Sequence, residues 1–191
     1  MGNKQSELIK TLTDKELLQN LYLTQLTILV IGIVISKWLT GRWFSPLDNI
    51  HFQIEHILMG FVIGLSVVFL ELILYKILPS SWFDDGGINS RIFLKRSPLH
   101  ILVLTVVIAF SEEFLFRGVL QTNFGLWIAS FLFAIIHIRY LSNLFLFSFT
   151  VLLSISLGFL YYFTDNLLTV IVAHFTIDFI LGLMIRYSKI K

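Results

Sequence analysis

Apolar residues gather into six runs near 21–39, 56–78, 98–121, 124–140, 143–163 and 166–186, separated by polar breaks. Each run approaches or exceeds the roughly 20 residues that an α-helix needs to cross a bilayer. The pattern predicts six transmembrane helices in a single membrane-embedded domain over 1–191, an all-α polytopic membrane bundle. Two connections are long, 40–55 and 79–97. The second mixes turn residues, charges and aromatics, as a loop at the membrane surface should. Ahead of the first run, residues 1–20 are polar, and 5–20 read as a short amphipathic lead-in on the membrane surface. Thr13 and Glu16 have capping-box spacing there, with Leu12 and Leu17 positioned as a hydrophobic staple.

Composition strengthens this picture. Of the 191 residues 57% are hydrophobic and only 14% charged, where soluble domains carry about 25% charged residues. Mean hydropathy is +0.86. Cysteine is absent, which excludes disulfides, thiolate metal sites and cysteine nucleophiles. A formal net charge of +2 does not suggest a nucleic-acid partner; the partners expected are the lipid bilayer and a peptide or protein associated with it.

Charge also orients the chain. If the N-terminus is cytoplasmic, eleven of the fourteen basic residues fall on the inner side, leaving Lys37, Arg42 and Arg117. The positive-inside rule then places both termini in the cytoplasm, as an even number of spans requires. A multi-pass protein of the cell membrane is the expectation.

Several residues do not belong in lipid, where charges must pair, face a cavity or do chemistry. Glu112, Glu113 and Arg117 lie in the third run, His137 near the end of the fourth, and His174 and Asp178 in the sixth. Glu113 and Arg117 are four apart and can neutralise each other on one helix face. His174 and Asp178 share a face by the same spacing. Glu112 is turned about 100° from Glu113, so it is available to another partner. Glu71, alone in the second run, reads as a headgroup-level or helix-pairing residue. His56 and Phe133 read as packing.

Glu112, His137, His174 and Asp178 together suit peptide hydrolysis. That reaction needs a base to take a proton from water and a group to stabilise the tetrahedral oxyanion. The set Glu112, His137 and His174 would equally satisfy a divalent metal such as zinc with one open position. Spacing leaves both forms open, with no cofactor or with one metal.

Three motifs, Glu112-Glu113-x-x-x-Arg117, Phe133-x-x-x-His137 and His174-x-x-x-Asp178, occur in order, each in its own apolar run. In this the sequence resembles the CAAX prenyl protease and bacteriocin-processing family of intramembrane endopeptidases (the CPBP or Abi family), over about 98–186. The resemblance implies cleavage of a peptide bond at or within the membrane, without implying a prenylated substrate. It implies that Glu112 activates water, that Glu113 supports it, that Arg117 orders the helix, and that His137 and His174 are catalytic partners. The third motif ends in Asn or Asp in the family. Asp178 fits, but an ionised Asp cannot donate to an oxyanion as Asn can.

Rival readings are a proton-coupled transporter, a haem protein with His137 and His174 as axial ligands, and an inactive scaffold or immunity protein. Six short spans without inverted repeats argue against the first. The second leaves Glu112 and Glu113 unexplained, and the intact motifs argue against the third. One difficulty concerns depth. A rise of 1.5 Å per residue puts Glu112 about 21 Å above the inner end of its span, and His137 about 5 Å above the end of its own. For the two to meet, a helix must be tilted, broken or offset.

Overall fold

In the computed structural model, residues 11–188 and 190 are described; the basic residues Lys4, Lys10, Lys189 and Lys191, and residues 1–10 of the expected lead-in, lie outside them. The chain forms α1 (Asp14–Thr40), α2 (Ile54–Ile77), α3 (Ile88–Phe93), α4 (Pro98–Phe124), α5 (Leu126–Ile136), α6 (Leu144–Thr164) and α7 (Leu167–Arg186). Five of these, α1, α2, α4, α6 and α7, are long and apolar enough to cross a membrane. The fold is a polytopic helix bundle.

Two sequence boundaries change. Residues 14–20 do not form a separate surface helix but are the first turns of α1. The capping box is formed: Glu16 N–H donates to Thr13 Oγ1 at 3.2 Å, and Thr13 N–H to Glu16 Oε2 at 2.7 Å. No proline or glycine then interrupts the chain until Gly32, so the helix continues into the apolar run. The fourth run, expected as a span over 124–140, holds only the eleven-residue α5. At 1.5 Å per residue that is about 16 Å, half of a bilayer core.

Contacts fix the two ends of the bundle. At one end Arg91 Nε donates to Asp14 Oδ1 at 2.9 Å and Arg186 donates to the Arg96 carbonyl. Asn143, which caps α6, reaches the Trp82 carbonyl at 2.9 Å at that same end. At the other end Asn166 binds the backbone of His51 in both directions, at 3.1 and 2.8 Å. The chain therefore still returns between α4 and α6, but residues 137–143 complete the crossing outside an α-helix. Non-helical backbone at membrane depth requires protein or a polar cavity around it, and His137, Ile138 and Tyr140 line a cavity.

The bundle is inverted relative to a soluble core. Leu23, Val30, Phe61 and Phe69 are exposed, whereas Glu113, Arg117, Ser154 and Thr169 are buried. α7 sits centrally, packed on α2, α4 and α6. α2 lies parallel to it at close range because Gly60 and Gly64, one helical turn apart, face it. A Cβ on Gly64 would come within 2.7 Å of the Ala173 carbonyl oxygen, the small-residue packing that membrane helices use. The 79–97 connection is less superficial than its composition suggests, since α3 buries Ile88, Ile92 and Phe93 in the cluster with Ile101 and Ile185.

Candidate active site

The site is built on a change of helix winding. α4 is α-helical to Glu113 and π-helical over Phe114–Gln121. π turns are wider than α turns and recur at functional sites. Thr122 Oγ1 donates to the Arg117 carbonyl at 3.0 Å, satisfying a backbone oxygen of the widened turn. Gly118 lets Pro46 sit against it, since a Cβ there would stand 2.5 Å from Pro46 Cβ.

Adjacent carboxylates on one helix point to different neighbours, and this sorts the two histidines. Glu113 Oε1 accepts from His174 Nδ1 at 2.7 Å and from Arg117 Nη1 at 3.2 Å. Arg117 Nη2 goes on to the Ser154 carbonyl at 2.9 Å and hydroxyl at 3.1 Å, which ties α4 to α6. Glu113 and Arg117 are both almost wholly buried, so each depends on the other to offset its desolvation. His174 Nε2 faces Asp178 Oδ2 at 3.5 Å.

Glu112 belongs to a second pair. Its Oε1 accepts from Gln25 Nε2 at 2.9 Å, and its Oε2 lies 3.9 Å from His137 Nε2. His137 is the residue at which α5 stops. Its Nδ1 donates to the Phe133 carbonyl at 2.7 Å, which leaves Nε2 directed at Glu112. The depth difficulty is thereby removed: α5 ends halfway, so His137 stands at the level of Glu112. Phe133 joins the two pairs. Its ring lies 4.6 Å from the His137 ring, 6.2 Å from that of His174 and 4.7 Å from the Arg117 guanidinium carbon.

The arrangement thus consists of two pairs, Glu112 with His137 and Glu113 with His174; Glu112, His137, His174 and Asp178 line one cavity of about 450 Å3, with Glu113 buried behind His174. Among the described residues, no three His, Asp or Glu side chains are grouped so as to hold a metal ion. The set Glu112, His137 and His174, which the sequence offered for a metal should one be present, is therefore not grouped as a ligand set, and His174 Nδ1 is engaged by Glu113.

Two participants, Gln25 in the first apolar run and Ser154 in the fifth, are polar residues that the sequence does not single out. Glu71, which does stand out there, reads from the sequence as a headgroup-level or helix-pairing residue and not as part of the site. Glu71 lines the same cavity as Glu112, His174 and Asp178. His56 does pack through a hydrogen bond, with 3.1 Å between its Nδ1 and Asn166 Nδ2.

The match to a known family falls on this region. Residues 95–180 match the family model described as type II CAAX prenyl endopeptidase Rce1-like. That segment contains both pairs, Arg117 and Asp178, while Gln25 and Glu71 lie outside it. The chain is also 47% identical over 132 residues to YpbD of Bacillus subtilis (strain 168), an uncharacterized protein, across 69% of this chain and 70% of that one. No solved structure matches the chain significantly.

Proposed function

Since the chain belongs to the Rce1-like family of type II CAAX prenyl endopeptidases, we propose that it is an intramembrane endopeptidase of the cell membrane that hydrolyses a peptide bond of an apolar or membrane-associated peptide. The observation that carries the reading is the 3.9 Å between Glu112 Oε2 and His137 Nε2. That separation is too long for a direct hydrogen bond and within reach of a water shared by both groups.

In this reading Glu112 is the general base. The shared water gives a proton to Glu112 as its oxygen attacks the scissile carbonyl carbon, while His137 Nε2 accepts the second water hydrogen and fixes the direction of attack. His174 lies between the carboxylates of Glu113 and Asp178. When protonated, such a ring donates from both nitrogens, and Nε2–H is the donor available to the oxyanion. Collapse of the tetrahedral intermediate breaks the C–N bond, and Glu112 returns its proton to the leaving amine. Arg117 and Ser154 keep Glu113 in position and do not touch the substrate. No step passes through a metal.

The test uses the purified protein in lipid vesicles with a panel of apolar peptides, and mass spectrometry to identify the products. Wild type should cleave, and Glu112→Gln should be slower by about 10²–10⁴-fold, the usual cost of losing a general base. Gln at 112 can still accept from Gln25, so the fold should hold. Cleavage by Glu112→Gln at the wild-type rate would remove the catalytic assignment.

A further inference from the structure

Glu71 enters the cavity from α2, outside the segment that matches the family, and among the described residues it has no hydrogen-bond or ion-pair partner. Asp178 on α7, a group of like sign, lines the same cavity. Val68 and Gly64, earlier on the same face of α2, are buried, so the face that carries Glu71 is the one turned toward α7. Asp85 and Glu112 also line the cavity, and among its described lining residues there is no lysine or arginine. Of the described cations, Arg117 is held by Glu113 and Ser154, and Arg91 and Lys95 by Asp14. Gln25, on α1, adds a buried acceptor to the lining of the same cavity, since its Oε1 has no hydrogen-bond partner among the described residues. A carboxylate at membrane depth without a counter-charge is costly. A cation supplied by a bound ligand would offset that cost.

A second feature indicates what carries the cation. An apolar groove of about 330 Å3 runs between α2 and α6, lined by residues including Leu70, Leu74 and Leu152. Phe149 and Leu153 line both the groove and the active cavity. An apolar chain lying in the groove would therefore continue directly to the carboxylates.

We infer that the site takes an apolar peptide segment bearing a lysine or arginine beside the scissile region, and that Glu71 is the residue that reads this charge. This rests on the endopeptidase reading for its chemistry but not for its binding. The attraction between a cation and a carboxylate shielded from water is worth at least about ten-fold in affinity. The groove selects the apolar segment and the acidic wall selects the end of it.

Binding and cleavage are measured separately. Three peptides share one apolar run of roughly 20 residues and differ only in a Lys, Gln or Glu just inside its end. Their affinities are determined in vesicles of zwitterionic lipid on protein made inactive by Glu112→Gln, and their hydrolysis on protein with Glu112 intact. The Lys peptide should bind at least about ten-fold more tightly than the Gln peptide, and the Glu peptide more weakly still. Adding Glu71→Gln should remove most of that difference, and adding Glu71→Lys should invert it. Equal affinity of the three peptides on the Glu112→Gln protein would overturn the inference without any Glu71 variant having to fold. A preference that survives Glu71→Gln would overturn the role of Glu71. Discrimination in binding with no hydrolysis would defeat the endopeptidase reading and leave this one standing. Hydrolysis blind to charge would do the reverse. Lipid alone occupying the groove, so that a Leu152→Trp substitution leaves peptide affinity unchanged, would refute the apolar half.

Discussion

His174 donates from Nδ1 to Oε1 of Glu113 at 2.7 Å, and the same oxygen accepts from Arg117 at 3.2 Å. One carboxylate oxygen thereby joins α7 to α4, and through Arg117 and Ser154 to α6. Glu113 is both the counter-charge of a buried arginine and the support of a histidine that fronts the cavity. Its substitution should therefore affect chemistry and folding together. Glu113→Gln is expected to lower the unfolding temperature measured in detergent. Breaking a buried ion pair from one side costs roughly 3–5 kcal/mol. The rate on any cleaved peptide should fall as well, because a neutral amide oxygen holds the His174 ring more weakly than a carboxylate does. An unchanged melting temperature would contradict the structural role.

His137 depends on α5 ending where it does. Substitution His137→Ala should slow hydrolysis about as severely as loss of Glu112, by about 10²–10⁴-fold, with little change in the melting temperature, since the side chain is partly exposed to the cavity. Phe133→Ala removes the ring between the two pairs and a fully buried aromatic, for which about 3–5 kcal/mol is usual. It should reduce both activity and stability. A Phe133→Ala protein with full activity would mean that the ring does not position either histidine.

Metal removal separates two chemistries. The described residues group no three acidic or histidine side chains as a ligand set, so a chelator should leave peptide hydrolysis unchanged and added zinc should not raise it. Activity lost to chelator and restored by zinc would reassign Glu112, His137 and His174.

Orientation follows from where the cations sit. Arg91, Lys95, Arg96 and Arg186 lie at the end of the bundle that holds Asp14. By the positive-inside rule that end faces the cytoplasm. A reporter inserted at the exposed turn beside Gly86 should be active only inside, and one beside Gly41 only outside. The opposite pattern would reverse the topology.

Close approach of α2 to α7 is set by glycine. Gly64→Val should weaken the bundle, because its Cβ would meet the Ala173 carbonyl oxygen at 2.7 Å and Thr176 Cβ at 2.8 Å. Overpacking of this kind costs about 1–3 kcal/mol. It should also draw Glu71 away from Asp178, so that any charge preference among bound peptides shrinks with stability. Unaltered thermal stability would show that the helices can separate freely.

Sequence alone determined the membrane class, the long helices and most of the charged residues of the site. Hydrocarbon imposes a length and a polarity on each span, and residues such as Glu112, Glu113, Arg117, His174 and Asp178 stand out because lipid makes them costly. Helical spacing alone also separated Glu112 from Glu113. What it could not decide was which histidine each carboxylate receives, because that depends on how α5 and α7 pack around α4. Hydropathy read 124–140 as one span, since apolar residues continue past Ile136 whether or not the backbone stays helical. Only the packed structure ends α5 at His137 and raises that ring to Glu112. Gln25 lies beyond the pattern, as an uncharged polar residue between Thr24 and Thr27, and Glu71 stands out in its run without showing which way it faces. Their direction is fixed by neighbours distant in sequence, Glu112 for the one and α7 for the other.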